Sequence, residues 1–276
     1  LTFVSDTASL RVRCRPARVT TYCDYDLFVD GTLAGTQRFA PQVSKPDFGS
    51  LEEEAEFHRA QAKVEPRSHV VAFGGLEARP AGSLFELWLS NVGPQHVQSV
   101  EIEEGCSVSR HVDRRPKWIC HGSSITHGMA DDIGNTAGSA ESPCKTWPAT
   151  AARLADVNLT SLGYGGMCHM DQSVARMIRD RRADAITLKL GINVHNLSSM
   201  SLRTFQQAAL GFIRTIRDGH PTTPIMVVSP IYGSWREDFT ANLQGDRRKP
   251  GAAKNELLPN LKEMRRELEA AVAILR

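Results

Sequence analysis

From residue 116 onward the chain repeats one rhythm, a short apolar run closed by turn residues and then a longer stretch, and this restricts the fold more than any other feature. PKWICHG (116–122), VNLTSLG (157–163), DAITLKLG (184–191) and PIMVVSP (224–230) are each short and apolar, the pattern of strands buried on both faces. Between the last two, Leu202, Phe205, Ala209, Phe212, Ile213 and Ile216 form one helical stripe, with Ser201 placed to cap its start and Gly219 to stop it. Strand and helix in alternation predict a parallel sheet covered by helices on both faces, with sites at the carboxyl ends of the strands.

Residues 1–113 have a different texture. Tyr25, Leu27 and Val29 alternate with Asp26, Phe28 and Asp30 and close on the turn pair Asp30-Gly31, while Val100 and Ile102 alternate with Glu101 and Glu103. Period two predicts strands with one wet face. HVVAFGG (69–75) and LFELWLS (84–90) add two more candidates, so an all-β sandwich is expected over 1–113. SRHVDRRP (109–116) then links it to an α/β domain over 114–276.

Charge and composition narrow the classes of partner. Lys and Arg number 33 against 31 Asp and Glu, a net +2 that gives no global reason to bind nucleic acid or an anionic membrane. No apolar run approaches the ~18 residues of a membrane helix, so no membrane insertion is expected. The opening LTFVSDTASLRVRCRP lacks the basic-then-apolar order of a secretory signal, which points to the cytoplasm. Six scattered cysteines without a Cys-x-x-Cys pair read as free thiols, and neither a metal nor a cofactor is expected.

Three unusual stretches fall at successive strand ends: HGSSITHG (121–128), LGYGGMCHMD (162–171) and LGINVHN (190–196). Each has two readings. Ser124 is an N-cap, or a nucleophile beside the free N–H groups of a helix start. Gly165 and Gly166 permit a tight turn, or let a substrate approach a bare N–H. Asn193 holds its own turn, or offers an amide donor. His127, His169 and His195 lie in or beside the same stretches, with structural, substrate-contacting and base roles all open.

The ordered set Gly-x-Ser-Ile-Thr-x-Gly (122–128), Gly-x-x-Gly (163–166) and Gly-Ile-Asn (191–193) resembles the first three blocks of the SGNH, or GDSL-like, serine hydrolases. The resemblance implies a flavodoxin-like three-layer α/β domain and cleavage of small acyl esters. It makes Ser124 the nucleophile, with the Ser124 N–H, the Gly166 N–H and the Asn193 side-chain amide as oxyanion hole. Ser123 stands where the family more often has Asp. A β-sandwich ahead of such a domain is similar to jelly-roll-bearing carbohydrate esterases, which suggests O-acetyl groups on sugars as substrate. Rival readings are a lipid or small-ester hydrolase, an acyltransferase, and a non-catalytic carbohydrate-binding protein; the oligomeric state stays open.

The resemblance also implies an Asp-x-x-His pair as general base and its orienting partner. None of the nine histidines has an acid three residues before it. The chain stops inside an apolar stripe, Leu257, Leu261, Met264, Leu268, Val272 and Leu275, so the expectation is a truncated domain whose last helix exposes that stripe.

Overall fold

The computed structural model describes residues 1–20, 22–128, 142–240 and 258–276. They fall into two compact units, residues 1–113 with 128–146, and residues 114–127 with 147–276.

The first unit is antiparallel. It contains β1 (Thr2–Ser5), β2 (Leu10–Pro16), β3 (Cys23–Val29), β4 (Thr32–Phe39), α1 (Leu51–Gln61), β5 (His69–Phe73), β6 (Ser83–Trp88), β7 (Gln95–Ile102) and β8 (Val108–Arg110). Five strands pair in the order β4-β3-β6-β1-β8 and three in the order β5-β2-β7. One apolar cluster draws Leu10 and Val12 from β2, Tyr25 and Leu27 from β3, Val71 and Phe73 from β5, and Phe85 and Leu87 from β6. Both sheets therefore share a core. Asp30 and Gly31, at φ 48° and 81°, join β3 to β4 with both central residues left-handed, as a two-residue type I′ hairpin requires.

The wet face expected for β3 is absent, because all seven of its residues are buried. The two carboxylates on it are paired instead. Asp24 meets Arg38 at 3.2 Å, and Asp26 accepts the Thr36 hydroxyl at 2.7 Å and the Ser142 hydroxyl at 2.6 Å. A buried carboxylate is tolerated when donors surround it, and here one donor lies more than a hundred residues away in sequence, beyond the reach of any local pattern.

The second unit follows the alternation. Its elements are β9 (Lys117–Gly122), α2 (Ser124–His127), α3 (Trp147–Leu154), β10 (Asn158–Gly163), α4 (Gln172–Arg179), β11 (Ala185–Lys189), α5 (Ile192–Leu197), α6 (Leu202–Gly219), β12 (Ile225–Val228) and α7 (Leu261–Leu275). The four strands are parallel in the order β10-β9-β11-β12. The order reverses at β9, so the chain leaves that strand's carboxyl end beside a crevice.

Helices cover both faces. Ile119, Ile186 and Leu188 pack with Ala175 and Ile178 of α4, Phe205, Ala209, Phe212 and Ile216 of α6, and Leu261, Met264 and Leu268 of α7. Strand neighbours point the other way. The Trp118 indole donates to the Thr187 hydroxyl at 3.0 Å and lies 6.1 Å from the ring of Trp147, the first residue of α3. Ser201 caps α6 as its sequence promised, accepting the Thr204 N–H. Among the described residues no helix is long and apolar enough to cross a membrane, and all six cysteines are free thiols.

The last apolar stripe is not exposed. Leu261, Met264, Leu268 and Ala271 are at most 2% accessible, and Val272 and Leu275 are half-buried; Leu257 lies outside the described residues. The sheet and α6 already provide the apolar surface that the stripe needs, and an Asn260–Glu263 capping box fixes the start of α7. Leu268→Ala should therefore lower the unfolding free energy by about 2–5 kcal/mol in urea titrations. A change under about 0.5 kcal/mol, the range of surface positions, would place the stripe in solvent.

Candidate active site

The two serines at the end of β9 divide their work. Ser123 is fully buried, its carbonyl accepts the Thr126 and His127 N–H groups at 3.0 Å, and its hydroxyl accepts the Ile125 N–H at 3.4 Å. It is the N-cap of α2. Asp caps a helix in the same way, so Ser for Asp at this position keeps the local structure. Ser124, the first helical residue, is half-buried, and neither its hydroxyl nor its N–H has a hydrogen-bond partner among the described residues. The first N–H groups of a helix have no intrahelical acceptor.

The second block lies against the first. Gly163 pairs with Gly122, and the Tyr164 N–H donates to the Gly122 carbonyl at 2.8 Å. A Cβ on Gly163 would collide with the backbone of His127, so only glycine lets α2 approach β10 this closely. His127 Nδ1 donates to the Gly163 carbonyl at 2.9 Å across the same contact.

The next three residues form a turn in which the Met167 N–H donates to the Tyr164 carbonyl at 3.2 Å and Gly166 has φ 73°. Positive φ at the third position marks a type II turn, which favours glycine. A Cβ on Gly166 would meet nothing within 4 Å, so conformation rather than crowding demands glycine there. The Gly166 N–H has no acceptor among the described residues.

The third block is tied to the second by one bond. Asn193 is 4% accessible, and its side-chain oxygen accepts the Cys168 N–H at 3.1 Å. A backbone N–H can only donate, so this bond assigns the amide orientation and leaves the nitrogen as a donor. Ser124, Gly166 and Asn193 thus stand on three connected strand ends, each with a donor that no described protein group accepts.

The resident histidines mostly hold backbone. His195, 2% accessible, donates from Nε2 to the Phe239 carbonyl at 3.1 Å, and burial lowers its pKa. His121, also lowered by burial, donates from Nδ1 to the Leu162 carbonyl at 2.9 Å. His169 donates from Nε2 to the Gly166 carbonyl at 3.1 Å and accepts the Ser199 hydroxyl on Nδ1 at 2.8 Å. Burial pushes the Cys168 thiol up to about 12, so it is not a thiolate at neutral pH. Among the described residues no group of three or more His, Cys, Asp and Glu is arranged to hold a metal. Sequence reasoning missed Cys168 and Ser199, because their parts are played by a backbone N–H and an exposed hydroxyl that carry no motif.

The segment after β12 is clamped onto α7. Arg265 makes two bonds to buried Glu237, at 2.6 and 2.8 Å, and donates to the Pro230 carbonyl at 2.9 Å. Hydrogen bonding to Arg265 lowers the Glu237 pKa to about 2. A depressed folded value stabilises the fold above the unfolded value of about 4.3, and this contribution is lost as pH falls through the folded value. Chemical unfolding should therefore show stability declining between about pH 5 and 2. Glu237→Gln should be less stable at pH 7 and lose less on acidification; an unchanged pH dependence would show that the Arg265–Glu237 pair does not set it.

Residues 116–267, more than half of the chain, match the model of the GDSL-like lipase/acylhydrolase family, and the chain belongs to that family. Among solved structures it is similar to the salicylyl-acyltransferase SsfX3 from a tetracycline biosynthetic pathway, at 25% identity and a TM-score of 0.74. That alignment covers 100% of this chain and 66% of the acyltransferase, so the chain spans less than two thirds of its length. A family two carbohydrate esterase from Clostridium thermocellum, in complex with cellohexaose, shares the fold at 12% identity and a TM-score of 0.60, covering 99% of this chain and 90% of that one. An acetyl xylan esterase, Est2A, from Butyrivibrio proteoclasticus does so at 13% and 0.57, covering 100% and 89%. No curated protein sequence matches the chain.

Proposed function

We propose that the chain is a serine esterase of small acyl esters, with Ser124 as nucleophile and the Ser124 N–H, Gly166 N–H and Asn193 amide as oxyanion donors. The observation that carries the reading is the Cys168 N–H to Asn193 oxygen bond, which fixes the amide's orientation and leaves its nitrogen, like the Ser124 and Gly166 N–H groups, a donor without an acceptor among the described residues. Ser124 Oγ would attack the ester carbonyl carbon, its proton passing to a base. The three donors would hold the oxyanion until the alcohol leaves, and water would then release the acid. In this reading residues 1–113 are a jelly-roll-like β-sandwich domain and residues 114–276 a flavodoxin-like three-layer SGNH domain. Sugar O-acetyl groups are the proposed substrates, in keeping with the fold shared with carbohydrate esterases.

His169 and His195 are poorly suited as the base, since each already donates from Nε2 to a backbone carbonyl. A second reading, acyl transfer to an alcohol in place of water, is supported by the likeness to the salicylyl-acyltransferase.

Aryl acetates with and without an added sugar acceptor test both readings. Ser124→Ala should reduce release of the aryl alcohol to the uncatalysed background while keeping the fold. Asn193→Ala should lower turnover by about 10²–10³. Undiminished release from Ser124→Ala would refute the nucleophile, and acylated sugar in place of free acid would favour transfer.

A further inference from the structure

We propose that His169 is a positioning residue that anchors the Gly166 turn to the segment bearing Asn193. The inference rests on the reading of Gly166 as an oxyanion donor. The turn Tyr164-Gly165-Gly166-Met167 has glycine at both central positions, so the middle peptide can flip between two turn types at little steric cost. That peptide carries the Gly166 N–H and the Gly165 carbonyl on opposite sides. A flip would exchange a donor for an acceptor at the place where negative charge develops, and the site would repel the oxyanion it is built to hold.

Sequence alone leaves both states open; the structure takes the one with positive φ at Gly166, and hydrogen bonds hold the turn in its place. The following peptide is held at both ends: the Met167 N–H donates to the Tyr164 carbonyl at 3.2 Å, and the Gly166 carbonyl accepts His169 Nε2–H at 3.1 Å. With that plane fixed, the φ of 73° at Gly166 sets the direction of its N–H. A carbonyl only accepts, so His169 carries its proton on Nε2, and Nδ1 is left to accept the Ser199 hydroxyl at 2.8 Å. The Ser199 N–H in turn donates to the Val194 carbonyl at 3.2 Å, next to Asn193. His169 therefore ties the Gly166 turn to the segment that bears the other donor, in parallel with the Cys168 to Asn193 bond.

The experiment has a kinetic arm and a spectroscopic arm. His169→Ala should lower kcat on an aryl acetate by about tenfold or more with KM within about threefold, since the lost order matters only when the oxyanion forms. His169→Gln, whose amide can donate to the Gly166 carbonyl, should recover much of the loss. Ser199→Ala should cost less, and should add nothing in the His169→Ala background. Independently of turnover, the ¹⁵N resonances of the parent imidazole should report the Nε2–H tautomer, and the Gly166 amide resonance should shift or broaden in His169→Ala. A His169→Ala enzyme with kcat within about twofold of the parent, or a parent imidazole protonated on Nδ1 alone, overturns the proposal. If Ser124→Ala and Asn193→Ala lose activity while His169→Ala does not, only the His169 role falls. If those two keep full activity, the oxyanion reading falls with it, although the tautomer and the Gly166 resonance still report the clamp.

Discussion

A parallel sheet whose strand order reverses at β9 is the constraint on which the second unit depends. Parallel strands need a crossover between them, so every connection here ends on the same edge, and the reversal sends successive crossovers to opposite sides of β9. Three segments far apart in sequence are thereby brought to one rim. What remains is to orient them, and that is done by short-range contacts: the Gly163 approach to α2, the turn at Gly166 and the single bond from Cys168 to Asn193. The sheet supplies proximity and the backbone supplies direction.

The alternation of apolar runs and turn residues made the four parallel strands legible, since burial on both faces leaves a strong mark on composition. The stripe of α6 was legible for the same reason and its Ser201 N-cap from local sequence, whereas the C-cap is His220, one residue past the Gly219 expected to stop the helix. Ser123 was harder to read. A motif lists a departure there, but the physical role, accepting an N–H at a helix start, is one that Ser and Asp both perform. Least legible were the features decided by distant partners. Asp24 and Asp26 look solvent-facing until Arg38, Thr36 and Ser142 are placed around them, and the apolar stripe of α7 looks surplus until α6 and the sheet lie beside it.

The histidines make the same point from the opposite side. A histidine near a serine motif invites a catalytic reading, yet His121, His169, His195 and His220 each donate to a main-chain carbonyl. An imidazole is well suited to this: it is flat enough to pack in a core, and its N–H satisfies a carbonyl that no helix or strand has claimed. Counting histidines near a nucleophile is therefore weak evidence for a base until the partner of each ring nitrogen is known.

The Ser142 bond to Asp26 bears on how such a protein can be rearranged by recombination. Residues 142–146 belong to the first compact unit although they come after β9 and α2 of the second. A gene splice near residue 113 would therefore transfer a β unit stripped of one of its own parts, with a buried carboxylate short of its closest donor. The two units are interleaved along the chain, and exchange of either by a single crossover would leave a buried carboxylate with one donor fewer.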